Sequence, residues 1–204
     1  GKDNAADIVE DIWGEFTDLE VDNVLGTRLW YWKDGNAGGS DTRGLLRQAN
    51  GSCFAWADFF SDCLLEQGTN NKVEILEVKG KTRKDQYILL KKWKVNNKNG
   101  SLPSAAPYKY VYKRNVIEDI SVDDPPDGQG KNMFTYPTFQ EHRLVKYNNK
   151  YYDPSYGGGP HNSRKAYENK NVFGLGFDYR VRYKVRFIWV LLSKLNDPDV
   201  LETK

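Results

Sequence analysis

The chain has 204 residues, room for one substantial domain with its own core. Lys and Arg total 30 against 28 Asp and Glu, so the formal charge is only +2, which argues against nucleic acid as a partner. No run of about 18 or more apolar residues is present to cross a membrane, and the 14% aromatic content suits half-buried strands or a ring-lined groove.

The first stretch, AADIVEDIWGEF, has apolar residues at helical spacing and is predicted helical. TRLWYWKD reads as a short aromatic strand. GNAGGSD is a loop, after which Ser40 or Asp41 is set to cap a short helix over TRGLLRQA. Next comes GSCFAWADFFSDCLLEQG, apolar almost all the way round. It is predicted to be a buried helix with Ser52 as N-cap and Gly68 just past its end. KVEILEV and QYILLKKWKV are predicted strands. Residues 96–140 are turn-rich, with one strand expected at YKYVYKR, and are expected to form a loop-rich insertion near the functional site. HRLVKYNNKYYDPS is a predicted β-hairpin. DYRVRYKVRFIWVLL is the clearest strand, with Arg180, Arg182, Lys184 and Arg186 along one face; a solvated sheet face accounts for that basic row. Helices first and antiparallel strands later predict an α+β class, as a single domain over 1–204. A chain that begins at Gly1 rather than Met is expected to be a processed or excised piece, such as one domain of a secreted or cell-surface protein.

The two cysteines, Cys53 and Cys63, lie in one predicted helix. A rise of about 1.5 Å per residue sets them roughly 15 Å apart, beyond the ~7 Å that a disulfide allows, so both are predicted to be free thiols. Cys53 falls at the helix start, where partial positive charge and unpaired N–H groups suit a nucleophilic thiolate; a small buried hydrophobe is the competing role. Cys63, among Phe59, Phe60 and Leu64, is expected to be inert filler. A nucleophilic cysteine needs an imidazole beside it, and only His142 and His161 are available. If Asn148-Asn149 is a two-residue type I′ turn, Tyr147 pairs with Lys150 and Leu144 with Asp153. Alternation then puts His142 on the same face as Asp153, as its diagonal neighbour. An imidazole base with an orienting carboxylate completes a Cys53–His142–Asp153 triad. His161, in GGGPHNS, is expected to be a mobile loop residue without a fixed orienting partner. The backbone N–H of Cys53 is the first candidate oxyanion donor; Gln48, Asn50 and the indole N–H of Trp30 or Trp32 are the candidates for the second.

LLRQANGSCFAWADFFSDCLLEQG, followed by a strand and then EHRLVKYNNKYYDPSYG, resembles the transglutaminase-like cysteine enzyme superfamily. The resemblance covers residues 42–157, and Gly51-Ser52-Cys53 and Asp153-Pro154-Ser155 are its most specific pieces. It implies a papain-like α+β core, with the buried cysteine helix packed on an antiparallel sheet. It also implies Cys53 as nucleophile, His142 as base and Asp153 as orienter. The implied activity is acyl transfer on peptide or protein amides through a thioester, first as a protease or amidase, with glutamine deamidation or transamidation as the alternative. A peptide or protein substrate is the partner implied, with no metal or organic cofactor. Two departures stand out: Leu144 occupies a position where many relatives carry Trp, and the spacing from Cys53 to His142 is long. Asp123, Asp124 and Asp127 read as a solvated turn rather than a calcium site. From another class, the same fold without catalysis would serve as a protein- or glycan-binding module.

Overall fold

The computed structural model describes residues 5–69, 73–80, 86–90, 94–95, 98–99, 110–111, 127–132, 138–139, 141–178, 189–193 and 201–203. The first predicted helix is α1, Ala5–Thr17, whose Val9, Trp13 and Phe16 recur on one face and are buried. β1 is only Trp30–Tyr31, shorter than TRLWYWKD, because Trp32 takes a left-handed φ of 53° and a 3-10 turn follows at Lys33–Gly35. Of the two capping candidates, Asp41 caps α2, Thr42–Gln48: the Gly44 N–H donates to its Oδ1 at 2.6 Å. β2, Asn50–Gly51, runs parallel to β1, with Tyr31 across from Gly51. The buried helix is α3, Cys53–Glu66, and Gly68 lies just past its end with a positive φ of 76°, in the left-handed conformation that stops helices.

The later elements are β3 (Val73–Gly80), β4 (Gln86–Leu90), β5 (Lys94–Val95), β6 (Lys98–Asn99), β7 (Tyr110–Val111), β8 (Thr138–Phe139), β9 (Glu141–Tyr147), β10 (Lys150–Asp153), β11 (Gly158–His161), α4 (Arg164–Asn171), β12 (Val172–Asp178), β13 (Trp189–Ser193) and β14 (Leu201–Thr203). The chain is therefore mixed helix and sheet, in keeping with the α+β class. It divides into two compact units. The first comprises Gly1–Leu76, Asp127–Tyr136 and Arg143–Arg164; the second comprises Glu77–Pro126, Pro137–His142 and Lys165–Lys204.

In the first unit the strands lie in the order β11-β10-β9-β3. Its core is aromatic. Trp13 of α1 meets Phe60 of α3 at 5.1 Å and Tyr152 of β10 at 4.9 Å, and Phe16 meets Phe60 at 4.9 Å, mostly edge to face. Truncating one such ring to alanine costs about 3–5 kcal/mol, so these contacts fix α1 and α3 on the sheet. Lys146 on β9 donates to Glu74 on β3 at 2.7 Å, an exposed pair that raises the lysine's pKa through that hydrogen bond.

In the second unit an antiparallel sheet runs β7-β13-β12-β4-β8, with Ile88 across from Leu175 and Phe177 across from Val190. β14 pairs antiparallel with the Val78–Gly80 end of β3, and β5 with β6. β12 was not expected from VFGLGFD, whose two glycines mask the strand pattern. The basic row Arg180, Arg182, Lys184 and Arg186 lies outside the described residues, as do Asp123 and Asp124.

Candidate active site

The hairpin takes the register that its sequence predicts. Asn148 and Asn149 both have positive φ, 48° and 61°, as a type I′ turn requires. Lys150 pairs with Tyr147, Tyr151 with Lys146 and Tyr152 with Val145. Asp153 is the last residue of β10, one position beyond the last of these pairs. Alternation along β9 gives His142 and Leu144 one face and Arg143 and Val145 the other. Arg143 reaches α3: its guanidinium carbon stands 4.0 Å over the Phe54 ring and its Nη1 is 3.5 Å from Asp58 Oδ1. Burial raises the Asp58 carboxyl above its usual range, and Arg143 partly offsets this. His142 is fully buried and Asp153 is 1% exposed. His142 is also the last residue of its stretch in the second unit, and the first unit resumes at Arg143.

Cys53 opens α3 and is 4% exposed. Ser52 holds the N-cap position, but its side chain does not cap the helix. Its hydroxyl donates to the Gly39 carbonyl at 3.3 Å, and its N–H donates to the same oxygen at 2.9 Å. The first-turn N–H groups of α3 are thus left without a side-chain cap from Ser52, in the setting where a helix start receives negative charge.

The parallel β1–β2 pair brings Tyr31 beside this helix start. Tyr31 is fully buried, and its ring packs edge-on to Tyr156 at 5.1 Å. Tyr156 closes the turn that follows β10, its N–H donating to the Asp153 carbonyl at 3.2 Å. Burial above all, then Tyr156 and Cys53 and more weakly Asp153, pushes the Tyr31 hydroxyl well above the ordinary tyrosine range. The hydroxyl therefore stays protonated at neutral pH. The sequence pointed to the tryptophans on either side of Tyr31 but not to Tyr31. The only local signal is alternation: a strand that turns Trp30 one way turns Tyr31 the other.

A short knot holds this corner. Residues 127–132 lie within the turn-rich 96–140 stretch, where Gly128 and Asn132 exchange backbone hydrogen bonds at 3.1 Å. The Gln129 side chain is fully buried and donates to the carbonyls of Phe16 and Pro154, both at 2.8 Å. The Gln129 carbonyl accepts from the Tyr31 N–H at 3.0 Å, and its N–H donates to the Ser155 carbonyl at 3.0 Å. Asn132 Nδ2 donates to the carbonyls of Tyr31 at 2.7 Å and Trp32 at 2.9 Å. β1 and the Asp153-Pro154-Ser155 turn are thereby tied to the same six residues.

Of the other oxyanion candidates, Gln48 is exposed on the last turn of α2. Asn50 is buried, but both ends of its amide are engaged: Oδ1 accepts from the Lys33 N–H and Nδ2 donates to the Asn36 carbonyl, each at 2.9 Å. The indole nitrogens of Trp32 and of Trp56 are turned inward, the latter donating to the Trp30 carbonyl at 3.2 Å. Trp30 carries Lys33 over its ring at 5.1 Å. Both cysteines are free thiols, and burial pushes Cys63 up to about 11. His161, expected in a mobile loop, is instead a buried residue of β11 paired with Tyr151. The glycine run becomes a strand because Gly159 packs where a Cβ would come within 2.7 Å of the Tyr151 carbonyl.

A concavity of about 810 Å³ lies against α1 and α3, lined by Phe16, Phe59 and Cys63 among others; Cys53 is not in its lining. Among the described residues no helix is long and apolar enough to cross a membrane, and no group of three or more His, Cys, Asp or Glu is placed to hold a metal. No protein-family model, curated protein or solved structure matches the chain.

Proposed function

We propose that this protein is a cysteine acyl-transfer enzyme of transglutaminase-like type, acting on peptide or protein amides through a thioester. Cys53 is the nucleophile, His142 the base and Asp153 the group that orients it. A protease or amidase is the first form of the activity; glutamine deamidation and transamidation share its first half-reaction. The observation that carries the reading is the shared neighbour: Tyr31 is held across from Gly51, just ahead of Cys53 at a helix start, and its ring packs on Tyr156 in the turn that follows Asp153. The hairpin supports it further, because His142 and Asp153 belong to paired neighbouring strands, β9 and β10, and both are buried. In the reaction His142 takes the thiol proton and later delivers it to the leaving amine, while Asp153 holds the imidazole tautomer.

The test is labelling with a thiol-reactive amide-mimic probe followed by mapping of the modified residue. Labelling at Cys53 that is lost in Cys53→Ala and slowed in His142→Ala supports the enzyme. No labelling at Cys53, or labelling indifferent to His142, rejects it.

A binding module on the same fold is the second reading. It is favoured by the 4% exposure of Cys53 and by the concavity that opens at Cys63 instead. A peptide or glycan that binds equally well to wild type and Cys53→Ala, with no turnover, would select it.

A further inference from the structure

The proposed chemistry needs a second oxyanion donor beside the Cys53 N–H, and the first unit offers one that the sequence did not suggest. We propose that the Tyr31 hydroxyl is that donor; the assignment rests on the acyl-transfer reading above. Tyr31 is held across from Gly51, just ahead of Cys53, and its ring rests on Tyr156 in the turn after Asp153. Its backbone is fixed at both ends, the N–H by Gln129 and the carbonyl by Asn132. A donor whose own rotamer and backbone are locked needs no reorganisation as charge develops, which is what makes such a group effective. The competing amide of Asn50 is engaged by the 33–36 turn, and Gln48 faces outward. Burial, with Tyr156 and its side-chain hydrogen bond adding to it, holds the hydroxyl's pKa well above the ordinary tyrosine range, so it keeps a proton to donate.

The step balances without further reagents. A sulfur electron pair forms the C–S bond, and the carbonyl π pair moves onto oxygen. That oxyanion accepts hydrogen bonds from Tyr31 Oη–H and Cys53 N–H, with no proton transferred from either. Collapse restores the carbonyl and breaks the bond to the leaving group. An amine leaves with the proton carried by His142, and an activated phenol leaves as its phenolate.

The experiment compares wild type, Tyr31→Phe and Trp32→Phe in two reactions of the same sulfur. Acetylation by p-nitrophenyl acetate passes through an oxyanion; alkylation by iodoacetamide does not. Removing one oxyanion donor costs roughly 100-fold or more, so Tyr31→Phe is expected to slow acetylation by that factor and leave alkylation unchanged. Affinity for a peptide aldehyde, whose adduct on the thiol carries the same oxygen, is expected to fall in parallel. The thermal midpoint serves as a control for folding; phenylalanine keeps the ring that packs on Tyr156. Equal slowing of both reactions would mean that Tyr31 acts through the thiol and overturns the assignment. An unaffected Tyr31→Phe also overturns it, and a loss confined to Trp32→Phe moves the role to the indole. Wild type that alkylates at Cys53 but never acetylates removes the acyl-transfer reading itself, an outcome distinct from an active enzyme indifferent to Tyr31.

Discussion

Iodoacetamide at neutral pH should separate the two thiols sharply, and the structure sets the size of the effect for one of them. Burial first, and then the Asp62 carboxylate, pushes Cys63 from 9.0 to about 11. Thiolate is the reactive form, so a rise of about two pH units leaves roughly a hundredth of the thiolate an unperturbed cysteine would hold at the same pH. Cys63 in the folded protein is therefore expected to alkylate about 100-fold more slowly than the same cysteine in the urea-unfolded chain. Cys53 is expected to take label first despite its low exposure, because a base-assisted thiol at a helix start reacts through the thiolate that Cys63 lacks. His142→Ala should slow Cys53 and leave Cys63 unchanged. Timed quenching, digestion and mass-spectrometric counting of the two cysteine peptides give both rates in one tube. Cys63 labelling as fast in the folded as in the unfolded chain would refute the burial argument. Equal, slow labelling of both sulfurs would refute the nucleophile and leave the binding module.

The same burial has a consequence for alkaline stability. The folded pKa of Cys63 lies above its unfolded value, so its contribution is full below pH 9.0 and is lost as the pH rises through about 11. Urea titrations across that window should show wild type losing about 2–3 kcal/mol more than Cys63→Ala; parallel losses would reject it. Gln129→Ala takes a donor from two carbonyls, Phe16 and Pro154; Phe16 keeps the Leu19 N–H at 3.4 Å, so the loss by urea unfolding should be about 1–3 kcal/mol, the cost of one unsatisfied buried group. A loss under about 0.5 kcal/mol, the surface-substitution range, would mean the knot is not structural. Gly39→Ala places a methyl 2.3 Å from the Gly44 carbonyl carbon and 2.5 Å from the Leu45 nitrogen, both backbone atoms. It should therefore cost at least about 1–3 kcal/mol and perturb α2, which a wild-type thermal midpoint would contradict. Asn149→Gly keeps the positive φ of 61° without a side chain and is expected to be neutral or stabilising, whereas Asn149→Val should destabilise the hairpin. Equal midpoints for the two variants would argue against the type I′ turn.

These outcomes divide along the same line as the reading of the sequence. What was legible rests on local rules. The hairpin register follows from two asparagines that tolerate positive φ and from period-two alternation. α1 and α3 follow from their apolar spacing, and Asp41 from its place just before a helix. What was not legible depends on hydrogen bonds between parts of the chain far apart in sequence. Gln129 and Asn132 sit in a stretch whose composition reads as turn. Yet their amides reach carbonyls a hundred or more residues upstream, at Phe16, Tyr31 and Trp32. Tyr31 gains its place through a two-residue parallel pairing that no periodicity reveals. The Cys53–Asp153 corner therefore joins two kinds of information. Cys53 and Asp153 stand at a helix start and a strand end, where local rules put them, but the backbone of Tyr31 is set by one glutamine and one asparagine acting across the fold. Loosening that knot, as in Gln129→Ala, should disturb Tyr31 before it disturbs the hairpin. An acetylation rate that falls while the hairpin's amide exchange stays unchanged is the signature this ordering requires.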